Sequence, residues 1–276
     1  MKRFFARLLV VLLVCGAIAF ALRPVVTDQS RAWRQARAVS DYRKTARGLD
    51  TLECGTLLAQ AHAYNDSLAA ISLRDALSLQ QRDADACDAL DLNRDGVLAV
   101  LSIPKLGATL PVYREEAWGA QHAGAGHMAG SDLPVGGAQT QCVLFGDRNG
   151  SFAGLDRLIS GDCFYIEAIQ DTLIYEVEQV RTLEGDALGG QAESGEADVC
   201  MLMTDVPGEA QQRLMVRARR MNRRQVPLVD DTMPLPDWAA RGILAAPVLL
   251  AGWAVLALIE ALRRSARRRK LKRSRI

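Results

Sequence analysis

Metal-type spacing of cysteine and histidine is missing from this chain. No CxxC occurs and the histidines are limited to His62, His122 and His127, which leaves a zinc site little support. Cysteine is scarce: six in 276 residues are too few for a disulfide-dense mini-protein. Charged residues at 24% and hydrophobic ones at 49% exclude a disordered or collagen-like chain. No internal repeat is evident, and the length suits one domain of moderate size plus extras. An excess of one charge sign is lacking overall, at net +2, but that figure hides a sharp asymmetry.

Two long apolar runs carry the asymmetry. Leu8 to Leu22 is free of charge and follows Lys2, Arg3 and Arg7. With Phe4, Phe5 and Ala6 it is just long enough to span a bilayer if Arg7 snorkels. Residues 1–22 are expected to be a membrane anchor, with a cleaved signal peptide as the alternative because Ala19-Phe20-Ala21 resembles a cleavage site. Gly242 to Leu262 is a second span, and nine of the fourteen residues from Arg263 to Ile276 are Lys or Arg. The positive-inside rule places that tail, 263–276, in the cytoplasm, where it suits anionic lipid better than nucleic acid. Between the spans remain 22 basic and 31 acidic residues, a charge near −9. An acidic, extracytoplasmic domain follows, not a nucleic-acid binder.

Within it, residues 23–92 read as helical. Arg31 to Arg47 is basic and Ala-rich, Leu52, Leu57, Leu58, Ala61 and Leu68 form a helical stripe, and Leu73 to Leu92 gives another. Asn93-Arg94-Asp95-Gly96 reads as a turn, because the downstream acid spacing of an EF-hand is missing. Short apolar runs then alternate with turn residues: Val97 to Ile103, Ala108 to Tyr113, Gln141 to Gly146, Cys163 to Ile169, Thr172 to Val180, Val199 to Thr204 and Arg213 to Arg219. Such spacing predicts a β-barrel or sandwich over 93–226. Gly185 to Asp198 is a Gly- and acid-rich loop, and 227–241 is a Pro-containing linker.

The motifs in this region resemble those of sortases, most of all the class C, pilus-polymerising ones. Ile103-Pro104-Lys105-Leu106 with Leu110-Pro111-Val112-Tyr113 resembles the first two barrel strands. Gly124-Ala125-Gly126-His127-Met128 through Leu133-Pro134-Val135-Gly136-Gly137 resembles a family signature. Val143 to Arg148 matches the strand end that carries the family's catalytic His, and Gly161 to Ile166 the strand after it. Met201-Leu202-Met203-Thr204-Asp205-Val206-Pro207 matches the strand end of the catalytic Cys. Arg213-Leu214-Met215-Val216-Arg217 matches the last strand with its catalytic Arg, and Ala63-Tyr64-Asn65 and both spans also fit class C. The resemblance implies a mainly β fold, an eight-stranded barrel with an N-terminal helical segment and a transmembrane helix at each end. It also implies recognition of LPxTG-type sorting signals outside a Gram-positive cell, cleavage through a Cys thioester, and transfer to an amine.

The catalytic positions depart from that pattern. Asp147 stands at the His position and Asp205 at the Cys position, while Arg213 is retained after a loop one residue shorter than the family's. The family reaction needs a thiolate nucleophile and a proton donor for the leaving amine. An ionised Asp is a poor nucleophile toward an amide and carries no proton. Losing the nucleophile of a serine protease costs about a millionfold in turnover. Arg213 can still hold a carbonyl or carboxylate. Thr204 and His127 join Arg213 in the expected binding set, although His127 reads first as a structural histidine. The two Asp form a charge network, an acid dyad or a thin ligand pair for a hard cation. Cys142 and Cys200 each lie five residues before one of these Asp. An odd offset along a strand faces them away from the groove, into the barrel. The family fold makes their strands parallel neighbours, so the two thiols are expected to touch, buried rather than bonded. Cys54 paired with Cys87 would staple two helices. Asp75-Ala76-Leu77 lies where class C enzymes carry a lid motif but lacks its Pro and aromatic.

The expected function is therefore a membrane-anchored, inactive class C-like sortase homologue with no cofactor. Its partners are a sorting-signal peptide or pilin-like surface protein, an active sortase, and membrane lipid. The alternatives are an active, cysteine-independent peptidase or transpeptidase on the same signals, and a structural barrel with no peptide site.

Overall fold

The protein was analysed as a computed structural model, which describes residues 30–68, 87–114, 124–184, 197–206 and 212–221. The chain divides into two units, 1–33 with 233–276, and 34–232. Of the first, only the opening turn of a helix at 30–33 is described. Both predicted membrane spans, the linker and the Asp75 segment lie outside the described residues. Among the described residues no helix is long and apolar enough to cross a membrane.

The second unit is built on a closed barrel. Its strands are β1 (Val97–Ile103), β2 (Ala108–Tyr113), β3 (Ala125–His127), β4 (Gln141–Gly146), β5 (Cys163–Ala168), β6 (Asp171–Glu184), β7 (Val199–Asp205) and β8 (Gln212–Arg220). The order around the barrel is β1-β2-β3-β4-β7-β8-β6-β5, with β5 returning to β1. β2·β3 and β4·β7 are parallel and the other pairs antiparallel. Alternation explains the inward set: Leu110 and Val112, Cys142 and Leu144, Phe164, Ile166 and Ala168, Leu173, Tyr175 and Val177, Cys200 and Leu202, and Leu214, Val216 and Ala218 share one core. Phe164 stacks on Tyr175 within it.

β1 is buried along its whole length, because both of its faces are covered. The ladder slips between Val97 and Ala99, so Leu98 and Ala99 both face inward while Val97 and Val100 face out. Helix α1, residues 30–48, covers the outer face with Val39 and Tyr42. The Tyr42 hydroxyl donates to Leu98 O at 2.7 Å and accepts from Ile169 N at 2.9 Å. Arg43 forks onto Glu167 of β5. The Gln170 amide closes the end of α1 by donating to Ala46 O and Leu49 O.

Helix α2 (Thr51–Leu68) begins at a capping box, in which Asp50 and Glu53 exchange backbone-to-carboxylate bonds. Its buried positions are Cys54, Ala61, Asn65 and Leu68, with Leu57 and Leu58 partly buried against the core. Leu52 leaves the predicted stripe: it is 80% exposed, since the inward face is set by Cys54 two residues on. Asn65 anchors the helix, donating to Leu133 O and accepting from Leu133 N.

Three further expectations change. β3 has only three residues, two of them small, and gives no periodic signal. β6 runs to Glu184, four residues past the predicted end, because β8 pairs with it as far as Gln212. Cys54 and Cys87 are buried and are not joined by a disulfide. Asn93 to Gly96 is the expected turn, closed by Asp91, which accepts from Asp95 N and Gly96 N.

Candidate functional site

Three strands place the expected residues on one face. On β4, β7 and β8 the odd positions point out of the barrel. There Val143, Met201, Met203 and Met215 form a separate apolar layer with Met128 and Leu183, and Phe145 is packed against it. Asp147, Asp205 and Arg213 continue the same parity at one end of that layer. The parallel register pairs Phe145 with Met203, and two further steps bring the chain to Asp147 on one side and Asp205 on the other. On β8, Arg213 is the direct partner of Asp205.

Arg213 is the centre of this arrangement. Its Nε lies 3.6 Å from Asp205 Oδ1, with the side chains 35% and 80% exposed. Its guanidinium carbon stands 4.9 Å above the Phe145 ring. The ring fixes the plane of the guanidinium by a cation–π contact, while the exposed carboxylate holds it weakly. A pair so exposed contributes at most about 1 kcal/mol, so an incoming carboxylate or carbonyl can displace Asp205 at little cost.

Asp147 is exposed and shapes its own turn. Its Oδ1 accepts from Asn149 N at 3.1 Å, its amide donates to Ser151 Oγ at 3.0 Å, and its carbonyl accepts from Phe152 N at 2.9 Å. Phe152 then plugs the barrel against Gly146, where any side chain would strike the Phe152 ring.

The other two expected binding residues do not reach the surface. Thr204 faces into the barrel and is fully buried, and so is His127. His127 Nε2 lies 3.0 Å from Asp132 O; a carbonyl can only accept, so the ring proton sits on Nε2. Burial pulls the His127 pKa down to about 4. Its task is to hold the turn before β4, where Ser131 Oγ also donates to Met128 O and accepts from Val143 N. The outward members of the expected set are Arg213, Asp205 and Asp147.

No thiol stands at this face. Cys142 and Cys200 are register partners on the inner face, buried and unbonded, as their offset from the two Asp predicts. Among the described residues, no group of three His, Cys, Asp or Glu is placed to hold a metal.

Two features escaped the sequence reading. The Phe145 stack depends on a neighbour two strands away, although its odd-position parity with Asp147 was visible. A clamp at the far end of the barrel is centred on Asp198: its carboxylate accepts from Tyr175 Oη at 2.9 Å, Gly137 N at 3.1 Å and Arg220 at 3.2 Å. Gly136, at φ +68°, lies against it where a Cβ would come within 2.5 Å of the Asp198 carboxylate, so the turn requires glycine.

Residues 101–221 match the family model of the Sortase domain. Sortase C1 of GBS Pilus Island 1 is similar at 27% identity and a TM-score of 0.61, covering 71% of this chain and 97% of that one. A pilus-related sortase C of Group B Streptococcus is 29% identical over 66% of this chain and 96% of its own, with a TM-score of 0.58. Sortase C from Clostridium perfringens SM101 gives 26% identity, 68% and 99% coverage and a TM-score of 0.55. No curated protein matches the chain.

Proposed function

We propose that this sortase domain is a pseudoenzyme: a membrane-anchored, class C-like barrel that binds a sorting-signal peptide without cleaving it. The observation that carries the reading is the triad of Asp147, Asp205 and Arg213 on the outer face, with Asp205 directly opposite Arg213. Neither carboxylate supplies a thiolate or a leaving-group proton. The thiols of β4 and β7 point the other way, and His127 is enclosed. Arg213 remains available to a carbonyl or carboxylate, and the apolar layer of Val143, Phe145, Met201, Met203 and Met215 beside it suits adaptable packing of an apolar side chain. Bound peptide is held by reversible contacts and passed to, or kept for, an active sortase or pilin assembly.

The test mixes full-length protein in detergent with LPxTG-type peptides and an amine acceptor, beside an active sortase. Mass spectrometry is expected to find intact peptide and unmodified protein. An acyl-protein adduct or cleaved peptide overturns the reading. Binding by calorimetry is expected to weaken about 10- to 100-fold in Arg213→Ala, the value of a lost charge-assisted hydrogen bond. Unchanged affinity in that variant refutes a peptide site at Arg213 and leaves a structural barrel.

A further inference from the structure

One pair of nucleophiles is not used by that reading. Cys142 on β4 and Cys200 on β7 stand side by side in the parallel ladder. Both are buried in the barrel core and neither is in a disulfide. The neighbouring Cys200 thiol and burial raise the Cys142 thiol well above its ordinary range. Neighbouring strands lie ~4.8 Å apart, within the ~4.4–6.8 Å Cα window that a disulfide accepts.

We propose that Cys142 and Cys200 form a reversible dithiol–disulfide site inside the barrel, oxidised by a small hydroperoxide. The class of oxidant follows from the enclosure. Tyr175, near enough to both thiols to feel their charge, is tied to Asp198, which also holds Arg220 and Gly137 N. That clamp and the burial of both sulfurs exclude a bulky disulfide reagent, whereas a neutral molecule of two oxygens can enter through local opening.

The thiolate of either cysteine attacks one peroxide oxygen and breaks the O–O bond. That cysteine becomes a sulfenic acid, and the departing hydroxide takes up the thiol's lost proton and leaves as water. The sulfur of the other cysteine then attacks the sulfenic sulfur. The S–O bond breaks, and the hydroxyl leaves as a second water with the proton of the second thiol. Two thiols have given up two electrons and one peroxide has become two waters. Cβ atoms of parallel neighbours follow the ~4.8 Å strand spacing, wider than the ~3.8 Å a disulfide prefers. The bond therefore draws β4 and β7 together under strain and is readily reduced again. Five residues on, β7 ends at Asp205 and β4 has just passed into Asp147, so the oxidation state of the pair bears on the spacing of the outer site.

The test treats full-length protein in detergent with graded hydrogen peroxide, then unfolds and alkylates it for intact-mass and non-reducing peptide mapping. The expected result is the loss of two alkylatable thiols, a link between the fragments carrying Cys142 and Cys200, and reversal by dithiothreitol. Cys142→Ala and Cys200→Ala should each abolish the link and stop at a sulfenic acid on the remaining cysteine, which dimedone traps during unfolding. The proposal is overturned if wild-type protein keeps both thiols at peroxide doses that oxidise the partly exposed Cys163, or if Cys142 and Cys200 link indiscriminately with other cysteines. The wild-type thiol count decides the matter even where a variant fails to fold.

Discussion

At the scale of single residues, two neighbours in the turn before β4 titrate in opposite senses. Burial lowers His127 to about 4, so the unfolded chain takes up its proton first as pH falls below about 6.5. Its stability contribution is complete above that value and is lost as pH falls toward 4. Burial raises Asp132 to about 6, against a bond from Gln141 N. The folded state then keeps a proton that the unfolded one releases, so its contribution declines as pH rises from about 4 to 6. The two slopes oppose each other over one window. Denaturant midpoints between pH 4 and 7 should be nearly flat in the wild type, rise with pH in Asp132→Asn, and fall with pH in His127→Gln. His127, placed in the expected binding set but read first as structural from the family signature around it, is fully buried. The burial of Thr204 was not read, though its even-numbered parity with Cys200 and Leu202 announced it. The grip of Phe145 on Arg213 could not be read from either strand alone, since it is made across the sheet.

Elements are held by a few polar anchors, and these set what each substitution costs. Asn65→Ala removes both bonds to Leu133 and leaves its buried amide bare, while the Leu133 carbonyl keeps the bond from Val135 N. A loss of about 1–3 kcal/mol is expected by urea denaturation. Tyr42→Phe frees Leu98 O and Ile169 N in the same way and should cost about as much, loosening α1 first in hydrogen exchange. Gly146→Ala drives a methyl group into the Phe152 ring; overpacking of that kind costs about 1–3 kcal/mol and shifts the Asp147 turn, which Phe152 N closes. Seven of the eight strands follow from alternation and turn residues. β3 does not, because three residues with a glycine among them carry no period. The tail of β6 does not either, because Arg181, Thr182 and Glu184 read as loop until β8 is known to lie beside them.

For the whole molecule, the eight-stranded barrel is closed, and the proposed loss of activity rests on Asp147 and Asp205. The double substitution Asp147→His with Asp205→Cys should therefore regain covalent capture of an LPxTG-type peptide, seen as an acyl adduct on intact protein, whereas either change alone should not. Absence of any adduct in a folded double variant would show that the groove itself has diverged. The barrel and its resemblance to sortases were legible because several short motifs occur in the right order. The anchor and tail were read from charge and hydropathy alone, and they lie outside the described residues.

The position of β8 has a consequence for how the chain assembles. It is the last of the described strands in sequence, yet it sits between β6 and β7 and joins them. Until residues 212–220 arrive, both neighbours present bare amide edges, one of them fourteen residues long. A chain emerging amino end first must carry those edges unpaired while nearly all of the barrel waits, the interval in which strand edges recruit other chains. Truncation just before Gln212 should give aggregates rather than a smaller barrel, because the closing stave is also the final one made.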